Sequence, residues 1–410
     1  MEHHKRPSNF KDLTVKTASL HDRNLQWAEV RTKGTHPARR SYHTAALYAD
    51  QMLILGGQDI REGLVGGLWA LHIDENEGGN EHWEEVPLQG EAPPALCRHS
   101  SVQYQDKWYV FGGTDHNREY KTLFELNLQT WQWTAHTSPS PACPPPIDSH
   151  SASLYVNEGM PYMVVFGGFI DGNRANELFV MNMTTFAWSQ VPASSTNMPV
   201  PRAGHTSIVH KHDLFVFGGS GEDTEKLADL WKCDLRSYVW QRIEARGTAP
   251  SGRSGHSVVA YAGVMIVFGG VCERNRETNA MYVYEFALDT WTQIQFETLV
   301  QDPTSAFLQE EASPGQKRPK PLASPTKADS SSPSRSLVVA KKRTPVYSGP
   351  ANPTFGRIMG NIPHPRDGHS AVVYGERMYV FGGDRGQMPF NDVYAYNLDE
   401  TAVRTPVTAL

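Results

Sequence analysis

Phe215-Val216-Phe217-Gly218-Gly219 is a short apolar run that ends in two glycines, and runs of the same form recur along this chain. The five other copies are Leu53–Gly57, Tyr109–Gly113, Val164–Gly168, Ile266–Gly270 and Tyr379–Gly383. The β-branched and aromatic residues favour a strand that is buried on both faces. The paired glycines permit positive φ and a close approach of another backbone. The sequence therefore predicts six buried strands that end at these glycine pairs.

Each run is one part of a longer repeat, which opens with a histidine. The six histidines are His43, His99, His150, His205, His256 and His369. The first glycine follows 13 residues later in five units and 17 residues later in the third, where the hairpin turn is longer. Four units have an arginine three residues before the histidine: Arg40, Arg202, Arg253 and Arg366. We expect these residues to have a repeated packing role, with Arg202 paired to Asp229 and Arg366 to Asp392.

Two further strands complete each unit after the glycine pair. A third strand carries an aromatic residue near its start, and a fourth carries a tryptophan: Trp83, Trp133, Trp188, Trp240 and Trp291. The sixth unit ends after its third strand, around Val393–Asn397, while Trp27 stands alone near the N-terminus. Pairing the Trp27 strand with the last unit would close the array into a ring without an open sheet edge. The fold class predicted is all-β, a six-bladed β-propeller whose last blade is closed by the N-terminal strand.

These motifs resemble kelch repeats, because Arg-x-x-His, the double glycine, the aromatic residue and the tryptophan occur in one register. The resemblance covers residues 25 to 400 apart from a long insert, and it is to the class with kelch repeats alone, without a BTB or F-box region. It implies a kelch β-propeller that binds other proteins, without indicating which ones.

The organisation that we expect follows from the repeat. Residues 1–24 are a flexible N-terminus, residues 25–300 hold the closing strand and blades 1 to 5, residues 363–400 form blade 6, and residues 401–410 are a tail. Residues 301–362 are a disordered insert between blades 5 and 6. Its part from 301 to 350 contains nine serines, eight prolines and only two aromatic residues, which is too little apolar surface to fold.

Composition excludes several classes of protein. The net charge of −6 gives no overall signature of nucleic-acid binding. The chain has no run of 18 apolar residues and no secretory leader, so no membrane insertion is expected. Its four cysteines lack metal-ligand spacing. We expect a monomeric cytoplasmic protein, with the nucleus as a second compartment, and neither a metal nor another cofactor.

The loops after the glycine pairs are the candidate binding site, because they share one face with the connections between blades. These loops carry the arginines Arg61, Arg118, Arg174, Arg274, Arg276 and Arg385. A guanidinium group matches the geometry of a carboxylate, so the partner is predicted to be a protein or peptide, with acidic peptides as one alternative. The other interpretation is that each arginine is a solvated loop charge or pairs with a neighbouring acid.

The insert offers candidate phosphorylation sites next to basic residues. They are Ser313, Ser324, Ser332 and Thr344, each followed by proline. Phosphates there would alter a segment whose net charge over residues 301–350 is +4. Regulation by phosphorylation and a nuclear localisation signal are both open interpretations.

No catalytic residue is predicted, and the function expected is that of a non-catalytic interaction scaffold. One alternative is a substrate receptor of a cullin-type ubiquitin ligase. Another is an iron-dependent lyase similar to plant specifier proteins, which are kelch propellers. Glu225 and Asp229 match the iron motif of those proteins, whereas Cys233 replaces its histidine on a strand where it is expected to face the core.

Overall fold

The computed structural model describes residues 27–74, 79–192, 197–296 and 362–398. These residues belong to one unit of the chain. The predicted N-terminal segment, residues 301–361 of the predicted insert and the C-terminal tail lie outside the described residues. Ile362, the last residue of the predicted insert, is described and packs against the core of blades 5 and 6.

The described residues form six main sheets, each built around four antiparallel strands, which we call blades 1 to 6. Blade 1 consists of Thr44–Tyr48, Gln51–Leu55, Leu68–His72 and His82–Val86. Blade 2 consists of Ser100–Tyr104, Lys107–Phe111, Leu123–Asn127 and Gln132–His136. Blade 3 consists of Ser151–Asn157, Met160–Ile170, Asn173–Asn182 and Ala187–Val191.

The second half of the molecule repeats this arrangement. Blade 4 consists of Thr206–His210, Asp213–Phe217, Leu230–Asp234 and Val239–Ile243. Blade 5 consists of Ser257–Tyr261, Val264–Phe268, Met281–Glu285 and Thr290–Ile294. Blade 6 consists of Ser370–Tyr374, Arg377–Phe381, Val393–Asn397 and the N-terminal strand Trp27–Glu29.

Two-residue strands and 3-10 turns lie in the loops that connect the blade strands. Gln89–Gly90 and Arg246–Gly247 run parallel to the fourth strands of blades 2 and 5. The remaining short strands are Gln58–Asp59, Gly63–Leu64, Ile147–Asp148, Arg253–Ser254, Val271–Cys272, Arg276–Glu277, Asp384–Arg385 and Met388–Pro389. Two 3-10 turns, Glu222–Thr224 and Glu273–Asn275, follow the glycine pairs of blades 4 and 5. Among the described residues, no helix is long and apolar enough to cross a membrane.

The N-terminal strand takes the place of the missing fourth strand of blade 6. Trp27 lies opposite Tyr396 on the third strand. Trp133 lies opposite Leu126 at the equivalent position in blade 2. Trp27 is 2% exposed, and its ring lies 5.0 Å from that of Phe268 in blade 5. The prediction that the N-terminal strand closes the last blade is confirmed.

Two closed circuits of backbone hydrogen bonds join the blades. In the first, the residue before each repeat histidine donates its N–H to the equivalent carbonyl of the preceding blade, at N–O distances of 2.7 to 2.9 Å. The residues in this circuit are Tyr42, Arg98, Ser149, Gly204, Gly255 and Gly368. In the second, the last glycine of each pair donates to the carbonyl three residues before the next blade's histidine, at 2.8 to 2.9 Å. The glycine pairs therefore end the second strands and also connect neighbouring blades through backbone hydrogen bonds.

The repeat arginines and histidines are buried and hold this framework together. Each of the four arginines donates from Nη1 to the carbonyl of the first glycine in its own blade, at 2.8 to 2.9 Å. Arg202 and Arg366 also form bidentate ion pairs with Asp229 and Asp392, as predicted. Leu96 and Ile147 occupy the arginine position in blades 2 and 3 and are buried.

Five repeat histidines share a hydrogen bond through Nε2 with a serine or threonine hydroxyl of the preceding blade. His99 is the exception, because the hydroxyl of Thr44 bonds to Ser101 instead. Burial lowers the pKa of His99 to about 4 and that of His150, His205 and His369 to about 3. These side chains are neutral at physiological pH and have the packing role that the repeat predicts.

Candidate partner-binding face

The loops after the glycine pairs lie on the same side of the propeller as the Arg-x-x-His segments, since both adjoin the same ends of the inner strands. The first backbone circuit surrounds the axis on this side. Three of its residues, Tyr42, Arg98 and Ser149, carry side chains, and the three in blades 4, 5 and 6 are glycines. We call the surface around this circuit the axial basin. Besides the residues of the circuit, it includes Asp148, Arg174, Lys226, Glu277, Asp367 and Asp384.

We call the side of the axial basin formed by blades 2 to 4 the basic side, after three of its residues, Arg98, Arg174 and Lys226. The guanidinium carbon of Arg98 lies 5.3 Å from the ring centre of Tyr42, and that of Arg174 lies 5.2 Å from the ring centre of Phe169. Arg174 donates to Ser220 at 3.3 Å, and Lys226 donates to Ser254 at 2.8 Å. The Nε atoms of Arg98 and Arg174 are buried without a hydrogen-bond partner. Stacking on aromatic rings orients these two arginines while leaving donor capacity unused.

A buried acid lies near Arg98. Asp148 is buried and accepts a hydrogen bond from the hydroxyl of Ser149 at 2.7 Å. Burial raises the pKa of this carboxyl, and Arg98 opposes the shift. Burial also lowers the pKa of Lys226.

The side formed by blades 5 and 6 is acidic. Carboxylate oxygens of Glu277, Asp367 and Asp384 all lie within 4.8 Å of one another. Asp367 is 7% exposed and accepts a hydrogen bond from the hydroxyl of Tyr42. Burial raises the pKa of Asp367 to about 6, and the charges of Asp384 and Glu277 add to the shift. Burial likewise raises the pKa of Asp384.

The predicted loop arginines surround this basin but differ in their contacts. Arg174 is half-buried, whereas the other five are exposed: Arg61, Arg118, Arg274, Arg276 and Arg385. Arg118 donates to Tyr120 at 3.0 Å and lies 3.8 Å from Asp115, so part of its binding capacity is used within its own loop. Of the predicted set, Arg174 is the one that lies in the basic side of the basin.

Two residues of the basin, Arg98 and Lys226, are absent from the predicted set. Arg98 stands at a repeat position that is occupied by glycine in three other blades. That departure from the repeat is the signal by which sequence reasoning could have found it. Lys226 follows a 3-10 turn, and only the folded loop shows that it approaches Ser254.

The geometry around Cys233 does not favour an iron site. Cys233 is 0% exposed in the core, and burial raises its thiol pKa to about 12. The carboxylate of Asp229 is bound by Arg202 and by Trp231, whose Nε1 donates at 2.7 Å. The candidate phosphorylation sites Ser313, Ser324, Ser332 and Thr344 lie outside the described residues.

Comparison with known proteins agrees with the repeat architecture. The model of the KLHDC2/KLHL20/DRC7 Kelch-repeats domain matches residues 3–194 and 159–307, and that of the Kelch motif matches residues 365–402. The chain belongs to the kelch-repeat family. The predicted kelch β-propeller is confirmed.

Three relatives show how far the similarity of this kelch-repeat chain extends. It is 30% identical over 270 residues to host cell factor 2 of Homo sapiens, covering 60% of this chain and 32% of that protein. It is 26% identical over 269 residues to leucine-zipper-like transcriptional regulator 1 of Homo sapiens, covering 64% and 31%. It is 27% identical over 260 residues to host cell factor 1 of Rattus norvegicus, covering 58% and 12%. The matched region thus spans about a third or less of these relatives.

Proposed function

We propose that this propeller is a non-catalytic interaction scaffold, and that it binds a partner protein through the axial basin and the surrounding loops. The observation that carries the proposal is the pair of half-buried arginines, Arg98 and Arg174, whose guanidinium groups stack on aromatic rings. An acidic group of a partner would accept charge-assisted hydrogen bonds from the accessible part of these guanidinium groups.

The chemistry of the basic side favours a carboxylate or phosphate on an extended segment. Arg174 and Lys226 contact the hydroxyls of Ser220 and Ser254, which can donate to the same anion. An acidic side chain, a terminal carboxylate and a phosphorylated residue share this chemistry. Peptides with free or amidated C-termini, with and without phosphate, distinguish the three sources.

The test is affinity capture from a lysate with the full chain, followed by mass spectrometry and by binding measurements on the recovered partner. The variant Arg98→Glu with Arg174→Glu is expected to weaken partner binding at least tenfold. Its matched control is Arg236→Glu with Arg242→Glu, which makes the same change of charge outside the axial basin and is expected to bind like the wild type. Equal binding by the wild type and the basin variant would overturn the proposal.

The same capture experiment tests the ubiquitin-ligase alternative. A substrate receptor would bring cullin or elongin subunits with it, and these would remain in the basin variant while the substrate is lost. Their absence from the wild-type capture would favour the scaffold without a ligase.

A further inference from the structure

The linker that joins blades 2 and 3, residues 137–146, differs from the linkers that enter blades 2 and 5. It contains two Ser-Pro pairs, Ser138-Pro139 and Ser140-Pro141. The linkers into blades 2 and 5 run parallel to the fourth strand of the blade that they enter, through Gln89–Gly90 and Arg246–Gly247. Among the described residues, the fourth strand of blade 3, Ala187–Val191, pairs with the third strand alone. The linker between blades 2 and 3 is therefore not part of a sheet.

The composition of this linker explains the difference. In the two paired linkers a glycine lies opposite the tryptophan of the fourth strand, Trp133 or Trp291. A Cβ on either glycine would clash with the carbonyl oxygen of that tryptophan. Residues 137–146 contain no glycine and five prolines, which have no N–H to donate to a neighbouring strand. This linker thus lacks the residues that the pairing requires.

The hydroxyl groups of the two serines hold the linker through local hydrogen bonds. The N–H of Ser140 donates to Oγ of Ser138 at 3.3 Å, and the N–H of Ala142 donates to Oγ of Ser140 at 3.2 Å. The N–H of Cys143 donates to the carbonyl of Ser140 at 3.1 Å, which closes a turn on the buried Cys143. No backbone hydrogen bond joins residues 138–142 to any other described part of the chain. These residues can therefore open locally without breaking a sheet.

Both Ser-Pro pairs lie at the surface. Pro139 and Pro141 are exposed, and Ser138 and Ser140 are half-buried. Residues 137–146 contain no acidic residue that a phosphate would meet within the linker. The pairs therefore have the sequence and the position that a proline-directed kinase requires.

We propose that this linker is a phosphorylation site for a proline-directed protein kinase, and that Ser138 is its principal acceptor. Ser138 lies before the turn, whereas Ser140 begins it, and both the hydroxyl and the carbonyl of Ser140 accept hydrogen bonds from within the turn. Phosphorylation of Ser140 requires that these two hydrogen bonds break, so that Pro141 and Ala142 can enter the kinase. The site lies outside the axial basin and does not depend on the proposed function.

The reaction transfers the γ-phosphoryl group of ATP to Ser138. The serine Oγ bonds to the γ-phosphorus, the bond from that phosphorus to the β,γ-bridging oxygen breaks, the hydroxyl proton passes to the catalytic base of the kinase, and ADP leaves. The product carries about −1.5 to −2 charges at pH 7. Its phosphate oxygens can accept the N–H of Ser140 in place of the hydroxyl. Phosphorylation would thus give this surface an anionic group that is under the control of a kinase.

The test uses the full chain with every other Ser-Pro and Thr-Pro site changed, so that phosphate uptake reports on the linker. The changes are Ser313→Ala, Ser324→Ala, Ser332→Ala, Thr344→Ala and Thr405→Ala. The protein is incubated with ATP and with a proline-directed kinase of the mitogen-activated class or of the cyclin-dependent class, and mass spectrometry measures phosphate at each residue. We expect Ser138 to be phosphorylated at least about fivefold faster than Ser140, because the turn at Ser140 must open first. The same measurement on the wild-type chain gives both rates without any substitution.

Three variants and a peptide serve as controls. Ser138→Ala should remove most of the phosphate uptake, Ser140→Ala should remove little of it, and Pro139→Ala should prevent phosphorylation of Ser138. A peptide with the sequence of residues 134–144 shows whether the kinases accept this sequence outside the fold. The proposal would be overturned if neither kinase modified the peptide, or if the peptide were modified and Ser138 of the full chain were not. A rate at Ser140 equal to or above that at Ser138 would overturn the assignment of the principal acceptor.

Discussion

At the scale of single residues, Asp367 shows how the axial basin differs from the framework around it. The buried arginines Arg202 and Arg366 have carboxylate partners, and the buried histidines are neutral. Asp367 is also buried, but its neighbours Asp384 and Glu277 carry the same charge. The framework residues stabilise the fold, whereas the ionised form of Asp367 destabilises it.

The substitution Asp367→Asn is therefore expected to stabilise the protein at neutral pH. The carboxyl has a pKa of about 6 in the folded state and about 3.9 when unfolded. Between these values the folded state binds more protons, so its stability falls as the pH rises. Asparagine keeps an acceptor for Tyr42, and the gain in unfolding free energy should reach about 3 kcal/mol at pH 7.5 and vanish below pH 4. Urea unfolding at several pH values measures this difference.

The control is Asp50→Asn, a substitution of an exposed turn residue of blade 1, which should leave the unfolding free energy at pH 7.5 nearly unchanged. An Asp367→Asn variant that is as stable as the wild type at pH 7.5, or less stable, would contradict the assigned electrostatics.

At the scale of the structural element, the glycine pairs act as contacts between blades. A Cβ on Gly219 would lie 2.8 Å from the Cβ of His205 and 3.1 Å from the carbonyl oxygen of Ala203. Its φ of +100° is also unfavourable for other residues. Two separate reasons therefore require glycine at this position.

The substitutions Gly219→Ala and Gly263→Ala separate the effect of contact between blades from the effect of a positive φ. Gly263 has a φ of +80°, but a Cβ added to it would have nothing within 4 Å, so alanine there meets backbone strain alone. We expect about 1 kcal/mol of destabilisation for Gly263→Ala and at least about 3 kcal/mol for Gly219→Ala. Chemical denaturation of both variants measures the difference, and equal losses would show that blade contact adds nothing.

At the scale of the whole molecule, the ring depends on a three-residue strand that is far from its partner in the sequence. Trp27–Glu29 pairs with Val393–Asn397, and the Trp27 ring contacts Tyr396 at 5.0 Å as well as Phe268 of blade 5. Loss of this strand would expose a sheet edge and part of the core between blades 5 and 6.

Deleting residues 1–31 is expected to lower the melting temperature by several degrees or to cause aggregation, and Trp27→Ala alone should cost about 3–5 kcal/mol. Deleting residues 1–24 is the control, because it retains the closing strand, and should leave unfolding nearly unchanged. Differential scanning calorimetry measures all three. Unchanged unfolding after the longer deletion would contradict the role of this strand in closure.

The sequence alone determined the kelch propeller, since the residues that pack its blades recur in register and each repeat can be recognised from its own segment. It also determined the closing strand, because the sixth repeat lacks a fourth strand with a tryptophan and Trp27 lies on a strand outside the repeats. The axial basin was decided only by tertiary structure. Tyr42 and Asp367 are 325 residues apart and meet because the ring closes. Charged residues that meet only in the folded ring are far apart in the sequence, so no local sequence pattern predicts their contact. The sequence indicates them only where a residue departs from the repeat, as Arg98 does.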